Sequence, residues 1–331
     1  MSVTLREVAR RAAVSTATVS RALNGLAVSP DSRSRVMAAV AELGYVANQA
    51  ARALRAPHTM TIGVVFIELA NALGIDLLDA LSEAVEAKGY SLLMSTARGD
   101  VGRFDVLMRR FLERRVDGLF CVAPKGVGES LALYRNAGIP VMTLFRSADG
   151  FAGLPLVQPS LRPSARELAL HLKGLGHRRV AVLRRKGQVV ALDVVAAALS
   201  EAGMDCADIE PVGHDLSGVV AHLAATPDRP TAIVAAHHHA RDLLAACANV
   251  GLAVPADLSV AAVVEVGEDH RHRRLGLSSL VIDPGRMGHA AGSAMLDWLG
   301  GAAPPRRLEV ETASFVVRDS VGPAAGGTPA A

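Results

Sequence analysis

The chain changes texture at residues 56–60, and this break constrains its architecture more than any other feature. Before it lie short, alanine-rich helical signals with few large apolar residues. After it, apolar strand-like runs alternate with helical ones. Thr61-Ile62-Gly63-Val64-Val65-Phe66-Ile67 reads as a buried strand, followed by a helix from about Gly74 to Lys88. Strands near Ser91–Ser95, Gly118–Val122 and Pro140–Phe145 alternate with helices near Arg103–Arg115 and Ser130–Ala137. Such βαβ repetition predicts a parallel sheet covered on both faces. A chain reversal at Pro155–Pro163 opens a second series. Its strands are near Val180–Leu183, Thr231–Ala235 and Leu258–Val264, and its helices include Ser164–Leu175, Asp193–Ala202 and Ala240–Val250. The expected fold is a small all-α domain followed by a two-lobed α/β body. Ligands of such sheets sit beyond the C-terminal strand ends, here the cleft between the lobes.

The N-terminal segment reads as three helices. Thr4-Leu5-Arg6-Glu7 is a capping box. Ala13-Val14 turns the chain, and Ser15 caps a second helix running to Leu23. Ser29-Pro30 opens a third, which Gly44 stops. The second helix presents short polar side chains outward, Thr16, Ala17, Thr18, Ser20 and Asn24, with one cation, Arg21. Short side chains let a helix lie close in a major groove, where arginine can reach guanine bidentately.

Charge supports a nucleic-acid partner. Residues 1–57 hold eight arginines against three acids, +5 of formal charge in a chain whose total is +3, so the remainder is −2. Only Tyr45 is aromatic in that segment, too few stacking platforms for single strands. Asn48 to Arg55 is a short basic helix candidate that could fold only on DNA, with Leu54 as a minor-groove wedge.

From Val3 to Asn24, and at Val28-Ser29-Pro30, Glu42-Leu43-Gly44-Tyr45 and Asn48–Leu54, the sequence resembles the LacI/GalR family of bacterial repressors. In the body Glu113–Gly118, Gly138–Val141, Leu175–Ala181, Val254–Val260, Met287–Ala290 and Phe315–Arg318 are similar to it as well. The resemblance implies a homodimeric helix-turn-helix repressor on a pseudo-palindromic duplex operator, with a periplasmic-binding-protein-like body. It implies that Thr16, Ala17 and Arg21 read bases, that Ser15, Ser20, Asn24, Ser29 and Tyr45 hold the backbone, and that Leu54 is the wedge. Thr4, Thr18, Asn48 and Ala51 complete the expected DNA-contacting set. Ala13 stands where the family's turn usually has glycine, and Ala47 where the hinge usually has proline.

The body departs from the family where ligand is usually held: Gln158-Pro159, Ala191, His237-His238 and Val264-Glu265 replace the usual polar set. A sugar effector is therefore disfavoured. Arg184, Arg185 and Arg146 follow strand ends, suggesting an anionic small-molecule effector. Asn71, His237, His238 and Glu265 join them as candidate effector contacts. The alternatives are a degenerate cleft on a DNA-binding dimer and, more remotely, a transport-type solute-binding protein. No catalytic constellation, metal site or cofactor is expected, since adjacent histidines at a strand end diverge and no third ligand is fixed by spacing. The chain lacks a secretory h-region and any apolar run of about 18 residues, and its three cysteines are scattered. The expected location is the bacterial cytoplasm, on the nucleoid when DNA-bound. The expected divisions are 1–46, a hinge 47–60, the body 61–320, and a disordered Gly/Pro/Ala-rich tail 321–331.

Overall fold

The computed structural model describes residues 3–23, 25–45, 58–68, 72–122, 128–145, 153–184, 190–210, 216–226, 228–266 and 275–325. Asn24, the hinge positions Asn48, Ala51 and Leu54, and Asn71, Arg146 and Arg185 lie outside them, as does the Glu265 side chain. The chain forms two compact units that divide between Thr59 and Met60.

The first unit is three helices: α1 (Leu5–Arg11), α2 (Thr16–Leu23) and α3 (Pro30–Leu43). Their small core is Val8, Ala9, Ala12, Val19, Ala22, Val36 and Ala39, with Leu5, Leu23, Val40 and Tyr45 packed at its margin. So little apolar volume leaves local signals to set the ends. Thr4 and Glu7 close the expected capping box, and Ser29 caps α3. Gly44 ends α3 in the left-handed conformation that glycine adopts without steric cost.

The second unit has two six-stranded sheets. The first lobe holds β1 (Thr61–Phe66), β2 (Ser91–Thr96), β3 (Gly118–Val122), β4 (Val141–Leu144), β5 (Leu156–Pro159) and β11 (Arg307–Val310), in the order β11-β5-β4-β3-β1-β2. Its helices are α4 (Ala72–Glu86), α5 (Val101–Glu113), α6 (Gly128–Asn136) and α11 (Pro284–Leu299). The second lobe holds β6 (Arg179–Leu183), β7 (Asp205–Ile209), β8 (Ala232–Ala236), β9 (Ser259–Val266), β10 (Ser278–Ile282) and β12 (Ala313–Val316), in the order β12-β10-β9-β8-β6-β7. Its helices are α7 (Arg162–Gly174), α8 (Val190–Glu201), α9 (Leu216–Ala225) and α10 (His237–Asn249). Central strands are buried along both faces, as their apolar runs predict. Among the described residues no helix is long and apolar enough to cross a membrane.

The sheets are parallel as expected, apart from β12, which runs antiparallel to β10. Three expectations need correction. Residues 155–163 are not simply a reversal, because β5 passes through them and pairs with β4 and β11. His237 to His239 open α10 rather than end a strand. The tail does not become disordered at 321: Val321 and Ala324 are buried, and the Ala324 amide donates to the Leu175 carbonyl at 2.9 Å.

The chain crosses between lobes three times, at β5–α7, β10–α11 and β11–β12. The third crossing is tied to the other two: Ser160 N–H donates to the Val310 carbonyl at 2.8 Å, and Asp283 N–H to the Thr312 carbonyl at 2.9 Å.

Candidate nucleic-acid interface and effector cleft

In the first unit, the turn before α2 places Ala13 at φ 51°, the left-handed region that an L side chain adopts at a cost. Beyond it Ser15 Oγ accepts from the Thr18 amide at 3.0 Å and lies 2.9 Å from the Thr18 hydroxyl. Thr4 is likewise occupied, its hydroxyl and amide both donating to Glu7, at 2.8 and 2.7 Å. These residues therefore set helix starts. Thr16, Ala17 and Arg21 point outward on α2, exposed, opposite buried Val19 and Ala22. Arg21 makes no ion pair within the described residues. Ser29 Oγ accepts from the Ser32 amide at 3.3 Å, and Tyr45 is half-buried against the core.

Two residues that sequence reasoning passed over orient this surface. Arg33 on α3 donates to the carbonyl of Ala22 in the last turn of α2 at 3.2 Å and to that of Leu26 beyond it at 2.9 Å. Arg11 on α1 pairs with Glu42 near the end of α3 at 2.6 Å. In the sequence both add only to the local positive charge, because no local pattern marks a guanidinium that reaches another helix.

In the body, β1, β3 and β4 of one lobe and β6, β8 and β9 of the other end at Phe66, Val122, Leu144, Leu183, Ala236 and Val266. Arg184 follows β6 as expected, but its charge is already engaged. Its guanidinium bonds Asp208 at 2.6 Å and also Asp193, and the side chain is 21% exposed. Burial works against that charge, but the two carboxylates outweigh it and raise the pKa. Arg184 is thus no free cation for an anionic ligand. Gln158 is also occupied, donating to Glu309 at 3.2 Å across β5 and β11. His237 is half-buried, His238 exposed and His239 buried, with the His238 and His239 rings 4.0 Å apart. Among the described residues no three histidines, cysteines or acids converge as metal ligands would.

A separate groove of about 950 Å³ runs along the outer edge of the second sheet, lined by Asp76, Gly276, Val281, Thr312, Val316 and Val317 among others. Large apolar side chains are exposed at and beside it: Ile75 at 57%, Val317 at 53% and Leu275 at 42%.

Comparison with known proteins agrees with this division. The family described as "Bacterial regulatory proteins, lacI family" matches residues 4–48. "Periplasmic binding proteins and sugar binding domain of LacI family" matches 59–241, and "Periplasmic binding protein-like domain" matches 169–321. The HTH-type transcriptional repressor PurR of Pectobacterium carotovorum subsp. carotovorum is 28% identical over 319 residues, 89% of each chain. Catabolite control protein A of Priestia megaterium is 28% identical over 272 residues, 78% of this chain and 82% of the relative. The fold is similar to that of the Lac repressor dimer bound to operator and the anti-inducer ONPF. The TM-score is 0.80 at 24% identity, covering 97% of this chain and 100% of that one.

Proposed function

The chain belongs to the lacI family of bacterial regulatory proteins, and on that premise we propose that it is a dimeric repressor whose operator binding responds to a small molecule in the inter-lobe cleft. The observation that carries this reading is α2: an exposed row of Thr16, Ala17 and Arg21, capped by Ser15 and held from behind by Arg33. Thr16 and Ala17 open the recognition helix against base edges, and Arg21 reaches a guanine. Ser20, Asn24 and Tyr45 contact phosphates, and Asn48, Ala51 and Leu54 form the minor-groove segment. The protein works by binding rather than catalysis, in the cytoplasm. Dimerisation uses the groove beside Ile75, Leu275 and Val317, since an exposed apolar patch of this kind marks an association surface.

The effector acts by population shift. Three crossovers bonded to one another let the lobes move as bodies, and a ligand that prefers one arrangement biases it. Asn71, Arg146, Arg185, His237, His238 and Glu265 remain the contacts of choice. A second reading, a dimerising body with no effector, is favoured by the engagement of Arg184 with Asp193 and Asp208.

The test is selection of duplexes from a random pool by the purified full-length protein at stated salt. Recovery of a palindrome with half-sites about one helical turn, ~34 Å, apart supports dimeric readout. Recovery of unrelated duplexes with salt-labile binding only would overturn it.

A further inference from the structure

The first lobe collects an excess of positive charge at one end. Lys88 lies between α4 and β2, Arg110 and Arg114 close α5, Arg135 ends α6, and Arg306 precedes β11. All five are exposed, and none makes an ion pair within the described residues. The parallel order puts them together: each precedes a strand that starts at this end, β2, β3, β4 or β11. Among the described residues four acids are present there. Glu86 accepts from Ser82 at 2.6 Å and Asp117 from the Met60 amide at 2.7 Å, which leaves Glu113 and Asp297. Cations are expected at helix C-termini, but Arg306 is at none. The concentration is also opposite in sign to the −2 carried by residues 58–331 as a whole.

The chain from the first unit enters the body at this same end. Met60 is fixed on both sides, its amide by Asp117 and its carbonyl by Ser91 N–H at 2.8 Å. Arg114 is three residues from Asp117 and Lys88 three from Ser91. A duplex held by residues 1–59 is therefore tethered to the body by the chain that enters here.

We propose that this end of the first lobe, with Lys88, Arg110, Arg114, Arg135 and Arg306, is a second contact for duplex DNA, reading phosphates without regard to sequence. The proposal rests on the duplex-binding reading above. Guanidinium groups match phosphate geometry bidentately, and the last turn of α5 sets Arg110 and Arg114 about 6 Å apart along its axis. Each phosphate neutralised adds about 0.9 to the slope of log affinity against log salt.

The experiment measures that slope for the full-length protein on a selected duplex carrying long flanks, and on a random duplex of equal length. R110Q/R114Q is compared with R166Q/R178Q, which removes the same charge from exposed positions of the second lobe. The expected result is a slope lower by roughly two for each protomer in contact, about four for a dimer, for R110Q/R114Q alone, on both duplexes, with affinity reduced on the order of tenfold or more at ~0.1 M salt. K88Q/R306Q gives the same shift independently, should R110Q/R114Q melt early. Equal slopes for the first- and second-lobe variants would overturn the proposal while leaving operator binding intact. Failure of the unaltered protein to bind either duplex would instead remove the reading beneath it. Retention on immobilised polyglutamate that R110Q/R114Q abolishes, with duplex slopes unmoved, would assign the face to an acidic protein and also overturn it.

Discussion

The guanidinium of Arg33 donates to the carbonyl oxygen of Ala22 at 3.2 Å. It also reaches the Leu26 carbonyl at 2.9 Å, so one cation on α3 ties down the last turn of α2 and the loop after it. Carbonyls at a helix C-terminus lack intrahelical donors and carry partial negative charge. Arg33→Ala is expected to cost about 1–2 kcal/mol, from two charge-assisted bonds that are only partly buried. Amide exchange in residues 3–45 of the full-length protein reads the stability, and operator affinity should fall with it. Arg33→Lys recovers one bond at most and lies between.

Arg21 on the exposed face of α2 should behave differently. Arg21→Ala leaves the Val8–Val19–Val36 core untouched. It is expected to weaken the selected duplex by about 1–3 kcal/mol and to relax preference at one base pair in each half-site. Repeating the pool selection with the variant measures this; an unchanged consensus would remove Arg21 from base readout.

Ala13 holds a left-handed φ of 51° at the turn between α1 and α2. The conformation costs an L residue roughly 1–2 kcal/mol, part of which glycine loses again through its freer unfolded chain. Ala13→Gly should therefore slow amide exchange across α1–α3, by the equivalent of about 0.5–1 kcal/mol.

Gly288 lets α11 lie directly on α4. A Cβ there would stand 2.7 Å from both the Ala80 Cβ and the Leu77 carbonyl oxygen, and Gly292 is as tight against Ala84 at 2.6 Å. The obstacle at Leu77 is backbone, so it yields only by separating the helices. Gly288→Ala is expected to destabilise the body by about 2–3 kcal/mol, read as a lower melting temperature.

His177 is buried, bonded through Nδ1 to the Thr231 hydroxyl at 2.8 Å and through Nε2 to the Gly322 carbonyl at 3.0 Å. Burial lowers its pKa from the ordinary 6.5; the Gly322 carbonyl opposes that, and the charge of His171 adds to it. His171 is lowered by burial as well. The unfolded chain then takes up protons first as pH falls, so these groups contribute fully above about 6.5 and lose that contribution below it. Melting temperature should be level from pH 8 to 7 and drop as pH falls below about 6.5. His177→Gln should start lower and fall less steeply.

Local chemistry made the helix ends and central strands legible. Thr4 with Glu7, Ser15, Ser29-Pro30 and Gly44 each satisfy backbone groups within a few residues of themselves, and β1 and β3 are apolar because both faces are covered. The outward row on α2 was readable for the same reason, since helix periodicity alone sorts Thr16, Ala17 and Arg21 from Val19 and Ala22. Half-exposed β2 was readable too, but β7, β11 and the buried β10 were not. β7 and β11 alternate weakly, and β11 finds its partner β5 some 150 residues away, where Gln158 meets Glu309.

The sequence by itself thus determined the three-helix unit, the two-lobed α/β body and the outward polar row on α2, because these follow from the spacing of neighbouring residues. Only the tertiary structure decided that Arg184 is neutralised by Asp193 and Asp208, that Arg33 braces α2, that residues 321–324 belong to the core, and that five scattered cations share one end of a lobe. Those outcomes depend on which distant segments become neighbours, and sheet order, not sequence distance, sets that.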